Sequence, residues 1–148
     1  MIPGEETYLV IDASVSLKWV LDDEENTENA LALRDDGIRG RFQMVAPSLW
    51  LYEVANGMVT ATRRSRVTHE QGRESLALLT AMAIRFADAE LDDCYRTALK
   101  YRVAFYDATY MTLADALGTD LWTGDLKFFE NVRADAHFVR WIGDYPSA

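Results

Sequence analysis

Residues 8–12 read Tyr8-Leu9-Val10-Ile11-Asp12, four mainly apolar residues in a row closed by a carboxylate. A short continuous run of this kind is typical of a strand that is covered on both faces, as in a parallel sheet. Further strand candidates lie at residues 42–46, 83–86, 120–123 and 138–141. Helical patterns separate most of them, and this alternation predicts an α/β fold with a mainly parallel central sheet and helices on both faces.

Helices are predicted between these strands at residues 15–20, 28–36, 69–82 and 91–101. Ser48 is placed to cap a further helix that runs to about residue 64, because a serine hydroxyl can accept a backbone N–H bond at a helix start. Asp107 is placed to cap the next helix, which Gly118 closes. No proline-rich or glycine-rich linker divides the chain, so we predict one domain over residues 1–148.

Composition narrows the class of protein. Hydrophobic residues make up 49% of the 148 residues, which is typical of a globular chain. No stretch approaches the length of a membrane span, the first residues lack a basic signal-peptide start, and Cys94 is the only cysteine, so we expect a cytoplasmic protein without membrane association. The balance of 15 basic and 24 acidic residues gives a net charge of −9, which opposes binding of a polyanion unless divalent cations reverse the local sign.

Four acidic residues lie where a parallel sheet could bring their side chains together in one site: Asp12, Glu53, Asp107 and Asp125. Ligands of open parallel sheets bind beyond the carboxyl ends of the strands, and Asp12 and Asp125 both follow predicted strands. Each acid also has a purely structural interpretation. Asp12 and Asp107 could cap helices, Asp125 could be a turn residue, and Glu53 could face solvent from a helix.

Glu53 is the least easily explained of the four. Its neighbours four residues away are Leu49 and Gly57, so no basic residue of its own helix can pair with it. Small residues around it leave room for a ligand. Carboxylate oxygens suit Mg²⁺ or Mn²⁺, whereas the sequence has no CxxC or HExxH motif that would indicate zinc.

The ordered set of motifs resembles the PIN-domain nucleases, and within them the VapC-type toxins of toxin–antitoxin pairs. The motifs are Val10-Ile11-Asp12-Ala13-Ser14, Pro47 with Glu53 six residues later, Tyr106-Asp107-Ala108-Thr109-Tyr110 with Leu113-Ala114, and Leu121-Trp122-Thr123-Gly124-Asp125. The resemblance implies a three-layer α/β/α PIN-like fold and an endoribonuclease that depends on Mg²⁺ or Mn²⁺. It also implies a homodimer and a small VapB-type antitoxin that covers the cleft.

Carried over by position, the resemblance makes the four acids the catalytic, metal-binding cluster. Ser14 and Thr123 become hydroxyl supports of that cluster. For the phosphates of the RNA substrate, the basic cluster Arg63, Arg64 and Arg66 is the first candidate, with Lys18 and Arg102 as weaker ones. Asp115 is close enough in sequence to Asp107 to support it.

Two other functions stay open at this point. A phosphate-monoester hydrolase would use an aspartate nucleophile after the first strand, but that chemistry usually has a second aspartate two residues on, where this chain has Ser14. A non-catalytic partner-binding module would use the same acids only as caps. Divalent-dependent activity distinguishes such a module from a nuclease.

Overall fold

The fold of the protein is built on five short strands, seen in a computed structural model that describes residues 6–147. The strands are β1 (Tyr8–Ile11), β2 (Gln43–Ala46), β3 (Arg85–Phe86), β4 (Leu121–Thr123) and β5 (Val139–Trp141). They form one sheet in the order β3-β2-β1-β4-β5, and every neighbouring pair is parallel.

Seven α-helices within the described residues connect and cover these strands. They are α1 (Ala13–Leu17), α2 (Thr27–Ile38), α3 (Leu49–Arg63), α4 (His69–Thr80), α5 (Leu91–Tyr101), α6 (Phe105–Leu117) and α7 (Leu126–Val132). The predicted α/β fold, with a parallel sheet between helical layers, is therefore confirmed. None of these helices is long and apolar enough to cross a membrane.

The strand order places a crevice beside the central strand. The chain builds β1, β2 and β3 outward in one direction and then returns to add β4 on the other side of β1. Open α/β sheets bind ligands where the strand order reverses in this way, at the carboxyl ends of the strands. Here the two strands at the reversal are β1 and β4, and the backbone N–H of Asp12 donates to the carbonyl oxygen of Trp122 at 3.2 Å.

The core packs both faces of the sheet. Val10, Ile11 and Leu121 on the central strands have no solvent exposure. Trp50 of α3 is buried with 1% exposure, and its Nε1 donates to the hydroxyl of Ser16 at 2.9 Å. This contact fixes α3, which carries Glu53, against α1, which follows Asp12.

Some element boundaries differ from the prediction. Ser48 is the N-cap residue of α3 as predicted, but its hydroxyl makes no capping hydrogen bond. Its hydroxyl and its backbone N–H both donate to the carboxylate of Asp88, at 2.7 and 2.9 Å. Helix α6 begins at Phe105, so the prediction of Asp107 as its cap is wrong and Asp107 lies in the first turn. Gly118 ends α6 as predicted, with a positive φ of 63° that suits glycine.

The chain between Asp125 and the last strand holds an element that the sequence analysis did not predict. Helix α7 has only seven residues, too few for a clear hydrophobic period. It begins at Leu126 and is capped by Asp125, whose carboxylate accepts a hydrogen bond from the backbone N–H of Phe128 at 3.1 Å. That the whole chain, residues 1–148, forms one domain stays a prediction.

Candidate active site

Asp12 stands at the carboxyl end of the central strand. Its carboxylate accepts hydrogen bonds from the backbone N–H of Val15 at 3.2 Å and from the hydroxyl of Ser14. The capping interpretation of Asp12 is therefore correct. Capping uses one oxygen, Oδ1, and the residue is only partly buried, so the cap leaves carboxylate capacity that can face the crevice.

The hydroxyls of Ser14 and Thr123 tie the end of β1 to the end of β4. Ser14 Oγ accepts from the backbone N–H of Gly124 at 2.8 Å and lies 3.4 Å from Thr123 Oγ1, which accepts from the backbone N–H of Asp125 at 3.1 Å. A Cβ on Gly124 would lie 2.9 Å from the backbone oxygen of Ser14, so only glycine allows this close approach. The network holds Asp12 and Asp125 at adjacent strand ends.

Glu53, on α3, is hydrogen-bonded to Tyr110, a residue to which the sequence analysis assigned no role. The hydroxyl of Tyr110 donates to Glu53 Oε1 at 2.6 Å, and Tyr110 is 2% exposed. Tyr110 follows Asp107 by three residues in α6, a spacing that puts both side chains on one helix face and could have pointed to it. The room predicted beside Glu53 is partly filled, because a Cβ on Gly57 would lie 2.5 Å from the side chain of Leu17.

The charges of the four acids act on one another. Burial raises the pKa of Asp12 to about 6, against the hydrogen bonds from Ser14, Thr123 and Val15, and the charge of Glu53 raises it further. Burial also raises the pKa of Asp107 to about 6, and the charges of Asp125 and Glu53 add to this effect. The pKa of Glu53 is raised by burial and lowered by the Tyr110 hydrogen bond. The charge of Glu53 therefore acts on both Asp12 and Asp107, and the charge of Asp125 acts on Asp107.

The structure separates the basic residues that the sequence grouped together. Arg66 is held by the carboxylates of Asp23 and Glu24, at 2.6 and 2.7 Å, so its charge is already neutralised within the protein. Arg63 lines a groove between α3 and α4 that includes none of the four acids. Lys18 is 6% exposed, and its ammonium donates to the backbone oxygen of Glu25 at 2.7 Å.

Two other cations share a cavity with the acids. A cavity of about 750 Å³ is lined by Asp107 and Asp125 together with Arg102 and Lys127. Arg102 was a weaker candidate from the sequence, and Lys127 was missed, although it follows Asp125 by only two residues.

The order of these motifs and the fold that carries them match a known family. The sequence model of the PIN domain matches residues 9–134, which include all four acids. The chain belongs to the PIN domain family. The predicted resemblance to VapC-type PIN nucleases is also confirmed, because several VapC ribonucleases are similar to this PIN domain over most of their length.

Two of these relatives come from different organisms. The ribonuclease VapC3 of Pyrobaculum aerophilum is 29% identical over 130 residues, covering 85% of this chain and 95% of the relative. The VapC ribonuclease Mb0985 of Mycobacterium bovis is 28% identical over 127 residues, covering 85% of this chain and 92% of the relative.

Solved structures show the same fold. The crystal structure of PAE2754 from Pyrobaculum aerophilum has a TM-score of 0.69 and 25% identity, over 93% of this chain and 90% of that one. Mycobacterium tuberculosis VapC20, described as a sarcin-ricin loop cleaving toxin, has a TM-score of 0.61 and 13% identity, over 86% of this chain and 95% of that one. At 13% identity, the likeness to VapC20 concerns the fold alone.

The acidic crevice of this PIN domain fits a hard divalent cation in the chemistry of its donors. Carboxylate oxygens are the ligands that Mg²⁺ and Mn²⁺ prefer. Among the described residues, neither Asp12 nor Asp107 forms an ion pair, and burial raises the pKa of both. Within residues 6–147, no three acidic, histidine or cysteine side chains are close enough together to hold an ion as they stand. Binding would therefore require the side chains to move toward the ion.

The hydrogen bond from Tyr110 should matter for the orientation of Glu53. We expect Tyr110→Phe to lower kcat for RNA about tenfold, the size of effect seen when a hydrogen-bond partner that orients an active-site ligand is removed. Steady-state cleavage kinetics with Mg²⁺ would measure the effect. Tyr52→Phe removes a hydroxyl from a tyrosine that is 74% exposed and serves as the control. Equal kcat values for the two variants would contradict this orienting role.

Proposed function

We propose that this PIN-domain protein is an endoribonuclease that hydrolyses RNA phosphodiester bonds with the help of Mg²⁺ or Mn²⁺. The observation that supports the proposal most directly is that Asp107 and Asp125 line one cavity, while the Ser14 hydroxyl ties the strand end of Asp12 to the turn that carries Asp125. The names of the relatives, which are VapC ribonucleases, point to the same reaction class.

The positions of the four acids and of the two hydroxyl residues beside them suggest a different role for each. Asp12 and Asp107 are the first choice as direct metal ligands. The pKa of each carboxyl group is raised, and a nearby cation would lower it again. Asp125 would complete the site, and Glu53, oriented by Tyr110, would hold a second ion or orient the attacking water. Ser14 and Thr123 keep the two strand ends in register.

A bound divalent cation would make hydroxide available near neutral pH and offset the charge that develops on the phosphate. The chain's own contribution is to hold the ends of β1 and β4 together and to shield the carboxylates partly from water. Both pKa values near 6 leave Asp12 and Asp107 largely deprotonated at neutral pH, the state that a cation requires. The net charge of −9 is then countered locally where the phosphate of the substrate would sit.

We further propose that the protein acts as the toxin of a toxin–antitoxin pair, with a small VapB-type antitoxin as its partner. The homodimer also stays a proposal. It is supported by a row of exposed apolar side chains at four-residue spacing along α5, Leu91, Tyr95 and Leu99, with exposures of 72%, 57% and 64%. Such a row on one helix face is typical of an interaction surface.

Removal of the cation tests the proposed reaction. We expect cleavage of total RNA to fall by more than about 100-fold in EDTA and to return when Mg²⁺ or Mn²⁺ is added in excess. A phosphate monoester assayed in parallel should not be turned over, which separates this reaction from that of a phosphate-monoester hydrolase. RNA cleavage that persists unchanged in EDTA would refute the proposal.

A further inference from the structure

The cavity that opens beside Asp107 and Asp125 extends the acidic crevice toward two basic side chains. Arg102, at the end of α5, and Lys127, in the first turn of α7, belong to its wall. Glu130 and Asn131 also line it. An anion in this cavity would therefore lie in the same cavity as Asp107 and Asp125.

Neither of these two cations is neutralised by the protein. In the part of the chain that the structure describes, the Arg102 guanidinium and the Lys127 ammonium form no hydrogen bond or ion pair and no stacking contact with an aromatic ring. Other basic side chains do have such partners: Arg66 is paired with carboxylates and Arg133 lies over the ring of Phe129. The cavity wall also carries the acids Asp107, Asp125 and Glu130, and in a chain with a net charge of −9 these two cations are available for an anionic ligand.

The backbone conformation at Arg102 favours glycine over arginine. Arg102 has a φ of 56° and ends α5 in the left-handed conformation, in which a side chain is strained and glycine is preferred. Gly118 ends α6 in the same conformation with a φ of 63°. An arginine at such a position reduces stability, so its side chain is expected to contribute something other than stability.

We propose that Arg102 and Lys127 form a subsite for the RNA phosphates next to the scissile bond, an inference that rests on the proposed ribonuclease function. The guanidinium of Arg102 has the planar donor fork that binds phosphate oxygens in pairs, and Lys127 adds a mobile point charge. The RNA strand then leaves the four acids through the cavity between α5 and α7. This path replaces the one along Arg63 and Arg64, because the α3–α4 groove that Arg63 lines includes none of the four acids.

Three double variants with the same change of charge test the subsite. Arg102→Gln/Lys127→Gln removes it, and Arg63→Gln/Arg64→Gln removes the alternative path. Arg39→Gln/Arg41→Gln is the control, because these two arginines line a cavity that includes none of the four acids. Each brings the net charge from −9 to −11, that is, −9 − 2, so the overall field of the protein changes equally. KM and kcat for a single-stranded RNA are measured with Mg²⁺ over a range of salt concentrations. The Kd for the same RNA is measured in an Asp12→Asn background.

We expect only the first double variant to raise KM and Kd, by at least about tenfold at low salt, with kcat at saturating RNA unchanged. Its plot of log Kd against log salt concentration should be shallower by about 1.4, since each phosphate contact to a single strand contributes about 0.7. A Kd equal to that of the control, or a loss confined to the Arg63/Arg64 variant, would overturn the subsite. A loss of kcat at unchanged KM would also overturn it.

A glycine variant separates binding from folding. Arg102→Gly relieves the strained backbone, so its melting temperature should equal or exceed that of the wild type while its Kd for RNA rises. Arg102→Lys keeps the charge and should restore part of the affinity. If the wild-type protein cleaves RNA but Arg102→Gly binds it normally, the subsite fails and the ribonuclease proposal stands. If the wild type neither cleaves nor binds RNA, both fail.

Discussion

Replacing Asp12 by Asn should lower kcat for RNA cleavage on the order of 10³-fold while the protein remains folded. Asn removes the negative charge that a divalent cation needs, but its carbonyl oxygen can still accept the backbone N–H of Val15, now 3.2 Å from the Asp12 carboxylate. The helix cap therefore survives the substitution. Single-turnover cleavage of RNA with Mg²⁺ measures the change in rate, and circular dichroism checks the fold.

The matched control for this variant is Asp135→Asn, which removes the same charge from an exposed position outside the crevice. We expect the control to keep wild-type activity. Wild-type cleavage by Asp12→Asn, or an equal loss in the control, would contradict the assignment of Asp12 as a metal-binding residue.

The same variant should be more stable than the wild type when no metal is present. The pKa of Asp12 in the folded protein is about 6, above the 3.8 of an ordinary aspartate, so the folded state holds the proton more tightly than the unfolded state. Stability from this group is fully present below pH 3.8 and is lost as the pH rises through 6. Asn never ionises, and we expect it to recover up to about 3 kcal/mol at neutral pH in EDTA.

Denaturant unfolding in EDTA at pH 5 and at pH 8 measures this effect. The stability difference between Asp12→Asn and the wild type should be larger at pH 8. Addition of Mg²⁺ should stabilise the wild type but not the variant, because only the carboxylate binds the ion. A difference that does not change with pH would show that the Asp12 carboxyl has an ordinary pKa.

Replacing Trp50 by Ala should lower the free energy of unfolding by about 3–5 kcal/mol, the usual cost of deleting a buried tryptophan. Trp50 is 1% exposed, its ring lies 5.8 Å from that of Phe86, and its Nε1 donates to the hydroxyl of Ser16. The substitution removes the contact that joins α3 to α1. A loss of this size is a large part of the stability of a typical domain.

Urea unfolding at neutral pH measures the effect of Trp50→Ala. Tyr52→Ala is the matched control, because Tyr52 lies two residues away in the same helix but is 74% exposed. We expect its effect to stay within about 0.5 kcal/mol. Trp50→Phe, which keeps most of the apolar surface, should lie between the two. Equal losses for Trp50→Ala and Tyr52→Ala would refute the structural role of the buried ring.

The sequence by itself determined the class of fold and the positions of two of the four acids. Continuous apolar runs such as Tyr8–Ile11 indicate strands buried on both faces, and buried parallel strands leave their carboxyl ends at one edge. Asp12 and Asp125 could therefore be placed together, because Asp12 directly follows β1 and Asp125 follows β4 after a single glycine. Periodicity is a local property, and local patterns were sufficient for this part.

Only the tertiary structure decided which side chains act together. The hydrogen bond between Tyr110 and Glu53, the ion pairs of Arg66 with Asp23 and Glu24, and the shared cavity of Arg102 and Lys127 join residues that are far apart in the chain. The basic sequence neighbours of Arg66 suggested that it could bind phosphate. Its ion-pair partners, Asp23 and Glu24, lie in the turn before α2. Such contacts depend on how the helices pack on the sheet, and hydrophobic patterns specify the buried face of a helix but not its polar neighbours.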